Sequence, residues 1–249
     1  YLRLGLRMPG NKVREYFMNL YDLKISEGEI VMILSQLKKA FGPYYTMLEK
    51  LVRSAQVKHT DSTSWRINGK SYYAWVFVAT GVVLYKISRK NNANVPLKVF
   101  GRKQDGMILV VDRFSACLSL AKKAGFFLQL CWSHILNDSK ELQRGFGKEG
   151  KFIHKELKRI FALAKDLEHK GINEHVEQLQ AEIFMLTQKK YRSTIIRRFV
   201  NNLYFRDREN LFRFVTNPHV DPTNNISERE LRSLVLIRKI SNGSRSKKG

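Results

Sequence analysis

From Met107 to Val111 the chain runs through five apolar residues without a break and then stops on the carboxylate of Asp112. A run of this kind suits a short strand covered on both faces of a sheet. Phe114, Cys117, Leu118, Leu120 and Ala121 follow at helical spacing, so the strand feeds a helix. Open α/β sheets hold their ligands just beyond the carboxyl ends of such strands. Asp112 therefore has two readings, a cap for the next helix or a ligand-holding group. The surrounding charge pattern separates them. Residues 61–137 carry 11 Lys or Arg and only three acids, Asp61, Asp105 and Asp112. A segment almost cleared of acids that keeps two at strand-like positions points to carboxylates used as ligands.

The whole chain shares this bias. With 45 basic and 22 acidic residues it has a formal charge of +23 and a pI near 10.1. Its field attracts polyanions, either nucleic acid or an anionic membrane surface. No apolar run reaches the length of a membrane span. The two cysteines, Cys117 and Cys131, make no disulfide framework, and the expected compartment is a reducing cytoplasm, with the nucleoid reached through DNA. The sequence opens on Tyr1 without an apolar signal core and reads as a fragment.

Four segments are expected. Residues 1–56 form a helical N-terminal segment, with a capping box at Ser26 and Glu29 and a third helix opened by Pro43. Its short helices suit either a DNA-reading element or a packing element. Residues 57–137 begin an α/β core. A first strand alternates through Val57, His59 and Asp61, Asn68-Gly69 makes a tight hairpin, and strands over Ser71–Ala79 and Val82–Ile87 complete a meander. A short helix near Val95–Phe100, the strand ending at Asp112, a helix to Lys123 and a strand over Phe126–Cys131 follow. Residues 138–215 are expected to be an all-helical insertion, with a basic cluster at Lys189, Lys190, Arg192, Arg197 and Arg198. Residues 216–249 supply a closing helix and a flexible basic tail. In that helix Asn225 suits an N-cap and Glu228 a capping-box partner. Yet Glu228, Leu231 and Val235 share one face, which would turn the carboxylate toward the sheet, where a buried charge needs a partner or a metal.

Asp61, Asp112 and Glu228 thus come from the first strand, the end of the fourth strand and the last helix. With the first and fourth strands parallel neighbours, the two aspartates meet. Converging carboxylates repel unless a cation holds them, and an all-oxygen set favours Mg²⁺ or Mn²⁺. Two such ions about 4 Å apart suit displacement at phosphorus.

Four stretches occur in order: His59-Thr-Asp61-Ser-Thr-Ser-Trp65-Arg-Ile-Asn-Gly69, the strand ending in Asp112, Cys131-Trp-Ser-His134, and Asn224-Asn225-Ile-Ser-Glu228-Arg229-Glu-Leu-Arg232 followed by Arg238-Lys239. In these the sequence resembles the DDE transposases of the insertion-sequence sixty-six family, from about Leu20 to the end. The resemblance implies an RNase H-like (retroviral-integrase-type) core, with Asp61, Asp112 and Glu228 as catalytic and metal-binding triad for two Mg²⁺ or Mn²⁺ ions. It implies cleavage at transposon ends and 3′-hydroxyl strand transfer into target DNA. Cys131, His134 and Asn225 are expected to support the site, and Arg113, Arg229, Arg232, Arg238 and Lys239 to contact DNA. Cys131 and His134 alone fall short of a structural zinc site. Expected partners are double-stranded DNA, further copies of the chain on that DNA and helper proteins, with no membrane. Where the family pattern reads Asp-Glu-Thr and Asp-Gly-Tyr, this sequence has Asp61-Ser62-Thr63 and Asp112-Arg113-Phe114. The family's N-terminal zinc-binding and DNA-reading region and part of its C-terminus are expected to lie outside this sequence. Two alternatives follow: a basic DNA-binding remnant without activity, and a host nuclease or resolvase with the same core.

Overall fold

The computed structural model describes every residue except 169, 171 and 245–249. Three helices lead in: α1 (Gly10–Tyr21), α2 (Glu27–Ala40) and α3 (Gly42–Ser54). The capping box opens α2, with Ser26 Oγ accepting from the Glu29 N–H and the Glu29 carboxylate from the Ser26 N–H. Helix α1 buries only Val13 and α2 only Ile30. Helix α3 is tied to the core, Arg53 donating to the carbonyls of Lys98 and Val99 and Tyr45 to that of Tyr85.

The core sheet begins with an antiparallel meander, β1 (Val57–Ile67), β2 (Lys70–Ala79) and β3 (Val82–Ser88). Asn68 and Gly69, both at positive φ, turn the first hairpin as their dipeptide demands. Helix α4 (Asn94–Phe100), β4 (Ile108–Val111), α5 (Ser115–Ala124) and β5 (Phe127–Leu130) follow. The strand order is β3-β2-β1-β4-β5, with β4 parallel to both β1 and β5. This mixed sheet, three antiparallel strands and then two parallel ones flanked by helices, is the expected RNase H-like arrangement. All four residues of β4 are buried, as its apolar run requires.

Alternation along the meander sorts its side chains. On one face Trp75 and Phe77 enter the main core. On the other, Trp65, Ile67, Tyr72, Ala74, Val76 and Val78 lie beneath α11 (Asn225–Ser241), through Leu231, Leu234 and Ile237. The stripe expected on that helix is displaced. Ser227, Leu231 and Leu234 make the row toward the sheet, and Glu228 lies one step round the helix, with 44% of its side chain exposed. The N-cap is the buried Asn224, not Asn225, so Glu228 is the fourth helical residue and does not stand at the expected capping-box position.

The helical block is α6 (Trp132–Gly145), α7 (Gly147–Asp166), α8 (Asn173–Thr187), α9 (Thr194–Asn201) and α10 (Arg213–Thr216). It begins earlier than expected, directly after β5. Trp132 is fully buried, stacked on Phe161 at 5.1 Å with its indole N–H bonded to the Leu211 carbonyl. A Cβ at Gly150 would lie 1.9 Å from the Leu142 carbonyl oxygen, so α6 and α7 cross where only glycine fits. Residues 241–244 are fixed, unlike the flexible tail expected there. Ser244 exchanges backbone hydrogen bonds with Arg66 and Asn68, and Gly243, at φ +107°, would otherwise strike the Arg66 carbonyl. The rest of that tail, 245–249, lies outside the described residues.

Candidate active site

The β1–β4 ladder ends at the pair His59↔Val110, and two residues further along the chain in each case stand Asp61, still within β1, and Asp112, just past the end of β4. The parallel pairing therefore sets the two aspartates side by side. Asp61 is half-buried and accepts from the Ser62 N–H at 2.6 Å. Burial first, then the charges of Asp112 and Glu228, push its carboxyl up to about 6. A carboxyl that feels both other acids shares one electrostatic pocket with them. Asp112 accepts from the Phe114 N–H at 3.1 Å. It is not the cap of α5, whose N-cap is Phe114, so the capping role is not the one the fold gives it. Cys117 on α5 faces the same pocket; burial, then Asp112 and Asp61, keep its thiol protonated.

Glu228 enters from α11. Its Oε1 lies 3.6 Å from His134 Nδ1. The Cys131 sulfur beside the ring, with Asp112 and Glu228, raises the His134 imidazole to about 9 against its burial. Among the described residues, one group of three candidate ligands has all its ligand atoms within 4.8 Å of one another: Cys131, His134 and Glu228. The three carboxylates share a field without closing that tightly. Their donor set, three hard oxygens in a partly buried pocket, fits Mg²⁺ or Mn²⁺.

Asn224 is the residue that sequence reasoning missed. Its amide donates to the Thr60 carbonyl at 3.0 Å, its Oδ1 pairs with His59 Nδ1 at 3.2 Å, and its backbone N–H reaches Cys131 Sγ at 3.1 Å. One buried amide thus binds the start of α11 to β1 and to the end of β5. Asn225 does less, accepting from the Ser133 hydroxyl at 3.2 Å. The signal in the sequence was the doubled Asn224-Asn225, of which the second was read as the cap. Asp138 was also passed over. It shares the His134 face of α6 at i, i+4, and its carboxyl is raised by burial and lowered by Arg113 and His134.

The five expected DNA contacts divide. Arg113 turns inward, ion-paired to the buried Asp207 at 2.9 Å and to Asp138 at 3.5 Å, over the Phe199 ring, so its guanidinium is taken up within the protein. A π-turn at Asn202–Arg206 carries the chain to Asp207, so this contact locks the helical block to the end of β4. Arg238 donates to Thr63 Oγ1 and the Ser64 carbonyl, pinning α11 along β1. Arg229, Arg232 and Lys239 are exposed. Arg238 and Lys239 line an open cavity of about 640 Å³ with Arg66, Trp65 and Tyr72.

The chain matches the model of the Transposase IS66 family over residues 1–249. It belongs to that family. The match takes in residues 1–19, which the motifs alone left out. No curated protein matches the chain. Membership in the IS66 family makes transposase the coarse activity, with DNA as substrate. No helix among the described residues is long and apolar enough to cross a membrane.

Proposed function

We propose that this chain performs metal-dependent DNA cleavage at transposon ends and transfers the resulting 3′-hydroxyl into target DNA, with Asp61, Asp112 and Glu228 as the catalytic triad. The observation that carries the reading is the pocket these acids share across the sheet. Asp61, held up to about 6 by burial and by its two partners, has the protonation behaviour of a carboxylate short of a counter-charge. Two Mg²⁺ or Mn²⁺ ions, held by these three side chains, would supply activation of the attacking oxygen and stabilisation of the leaving one. The protein's part is placement. The β1–β4 pairing sets the aspartates side by side, Asn224 sets the first turn of α11, and that turn presents Glu228. Exposed Arg229, Arg232 and Lys239 offer cations to the phosphate backbone, working as copies of the chain assembled on the DNA.

The test is Asp112→Asn assayed on a duplex bearing the transposon end. Mg²⁺-dependent nicking is expected to fall by roughly 10³-fold or more, as for loss of a group acting on the transition state, while DNA affinity without metal stays within about twofold. Undiminished nicking would overturn the triad. Binding without any nicking by the parent chain would favour the inactive remnant, to which Ser62 and Arg113 at the departed positions lend support.

A further inference from the structure

Cys131 and His134 sit at positions i and i+3 at the start of α6, and Glu228 faces them from the first turn of α11. Their ligand atoms converge within 4.8 Å, and Oε1 of Glu228 lies 3.6 Å from Nδ1 of His134. A tetrahedral ion with bond lengths of about 2.1 Å has edges of roughly 3.5 Å, so this separation already has the span of a shared ion. A second observation concerns His134 itself. Its Nδ1 is buried and makes no hydrogen bond of normal length, with Glu228 Oε1 at 3.6 Å the charged group beside it, so a ligand at this nitrogen would satisfy an atom that folding ordinarily pairs. On the other side, the Asn224 N–H points at Cys131 Sγ at 3.1 Å, and Cys131 is the N-cap of α6.

We propose that Cys131, His134 and Glu228 form a second metal site, for a borderline-soft dication of the Zn²⁺ type, with an open fourth position. Sulfur and imidazole select such an ion over Mg²⁺. The site shares Glu228 with the proposed triad, so Zn²⁺ bound there takes that carboxylate from the hard-metal set and slows cleavage. This regulatory consequence rests on the function proposed above; the site itself does not.

Co²⁺ serves as the optical probe, titrated into the metal-stripped full chain. A thiolate-to-cobalt band in the near ultraviolet is expected in the parent, in Cys117→Ser and in Asp112→Asn. It is expected to vanish in Cys131→Ser and in His134→Gln, the latter at a half-exposed position that folding tolerates, with circular dichroism confirming the fold. No band in the parent, or a band that survives both substitutions, overturns the site. In a second arm, Zn²⁺ is added to Mg²⁺-driven cleavage and each protein is compared with its own zinc-free rate. The parent is expected to lose at least tenfold and His134→Gln less than twofold. Equal loss in both overturns the regulatory role. If no protein cleaves, the proposed function fails while the cobalt band still decides the site.

Discussion

Asp61 stores an electrostatic cost that folding must meet. Its carboxyl, ordinarily near 3.8, is raised to about 6. Between those values the folded state binds a proton that the unfolded chain releases, so stability falls as pH rises through the window and stays lower above it. Asp61→Asn removes the charge. In the metal-free protein it is expected to raise stability by about 1–3 kcal/mol at pH 7.5 and by almost nothing near pH 4, read by chemical denaturation in chelator. Mg²⁺ is expected to stabilise the parent and not the variant. An equal effect at both pH values would show that the charge is not the source. Asn224→Ala removes the two side-chain bonds to His59 and Thr60 and is expected to cost about 2 kcal/mol by the same assay, since buried partners are left unpaired. At this scale the sequence exposed Asp61 and Asp112 because so few acids remain in 61–137. It hid Asn224, because an asparagine at a helix start has an ordinary local explanation, and only the tertiary pairing with Thr60 and Cys131 reveals otherwise.

Elements were legible where one signal dominated. The apolar run of β4, the Asn68-Gly69 turn and the capping box of α2 each fixed an element through local chemistry. The early start of α6 was obscured at its boundary: the apolar run of the fifth strand carries on to Cys131, which is in fact the N-cap of α6, and the polar residues after it show no strong helical stripe before 138. The cap of α11 sits one residue earlier than expected, and its sheet-facing row runs through Ser227, Leu231 and Leu234 with Glu228 beside it, a choice that only packing against the meander makes. The ion pair of Arg113 was not legible because its partner, Asp207, lies 94 residues on, beyond a π-turn no periodicity announces. That pairing is the element-scale prediction. A double-mutant cycle of Arg113→Ala and Asp207→Asn, followed by denaturation, is expected to give a coupling of about 1–3 kcal/mol, because the carboxylate is buried while Arg206 still partly compensates it. Additive effects would mean that the helical block is held to β4 by apolar packing alone.

Across the whole molecule, a charge of +23 makes affinity for DNA a poor guide to where DNA lies, because diffuse attraction and specific contact both fall with salt. The slope of log affinity against log salt separates them, since each phosphate neutralised contributes about 0.9 to it. Arg232 and Lys239 stand exposed on α11, seven residues apart and so about 10 Å along its axis, close to the reach of three base-pair steps. Their joint replacement by alanine is expected to lower the slope by about 1.8 on end-bearing and unrelated duplexes alike, as measured by fluorescence anisotropy. Arg113→Ala removes the same formal charge per residue, yet its guanidinium is taken up by Asp207 and Asp138, so the slope is expected to stay unchanged. If all three substitutions lowered the slope equally, only net charge would matter, and the face of α11 would have no special claim on DNA.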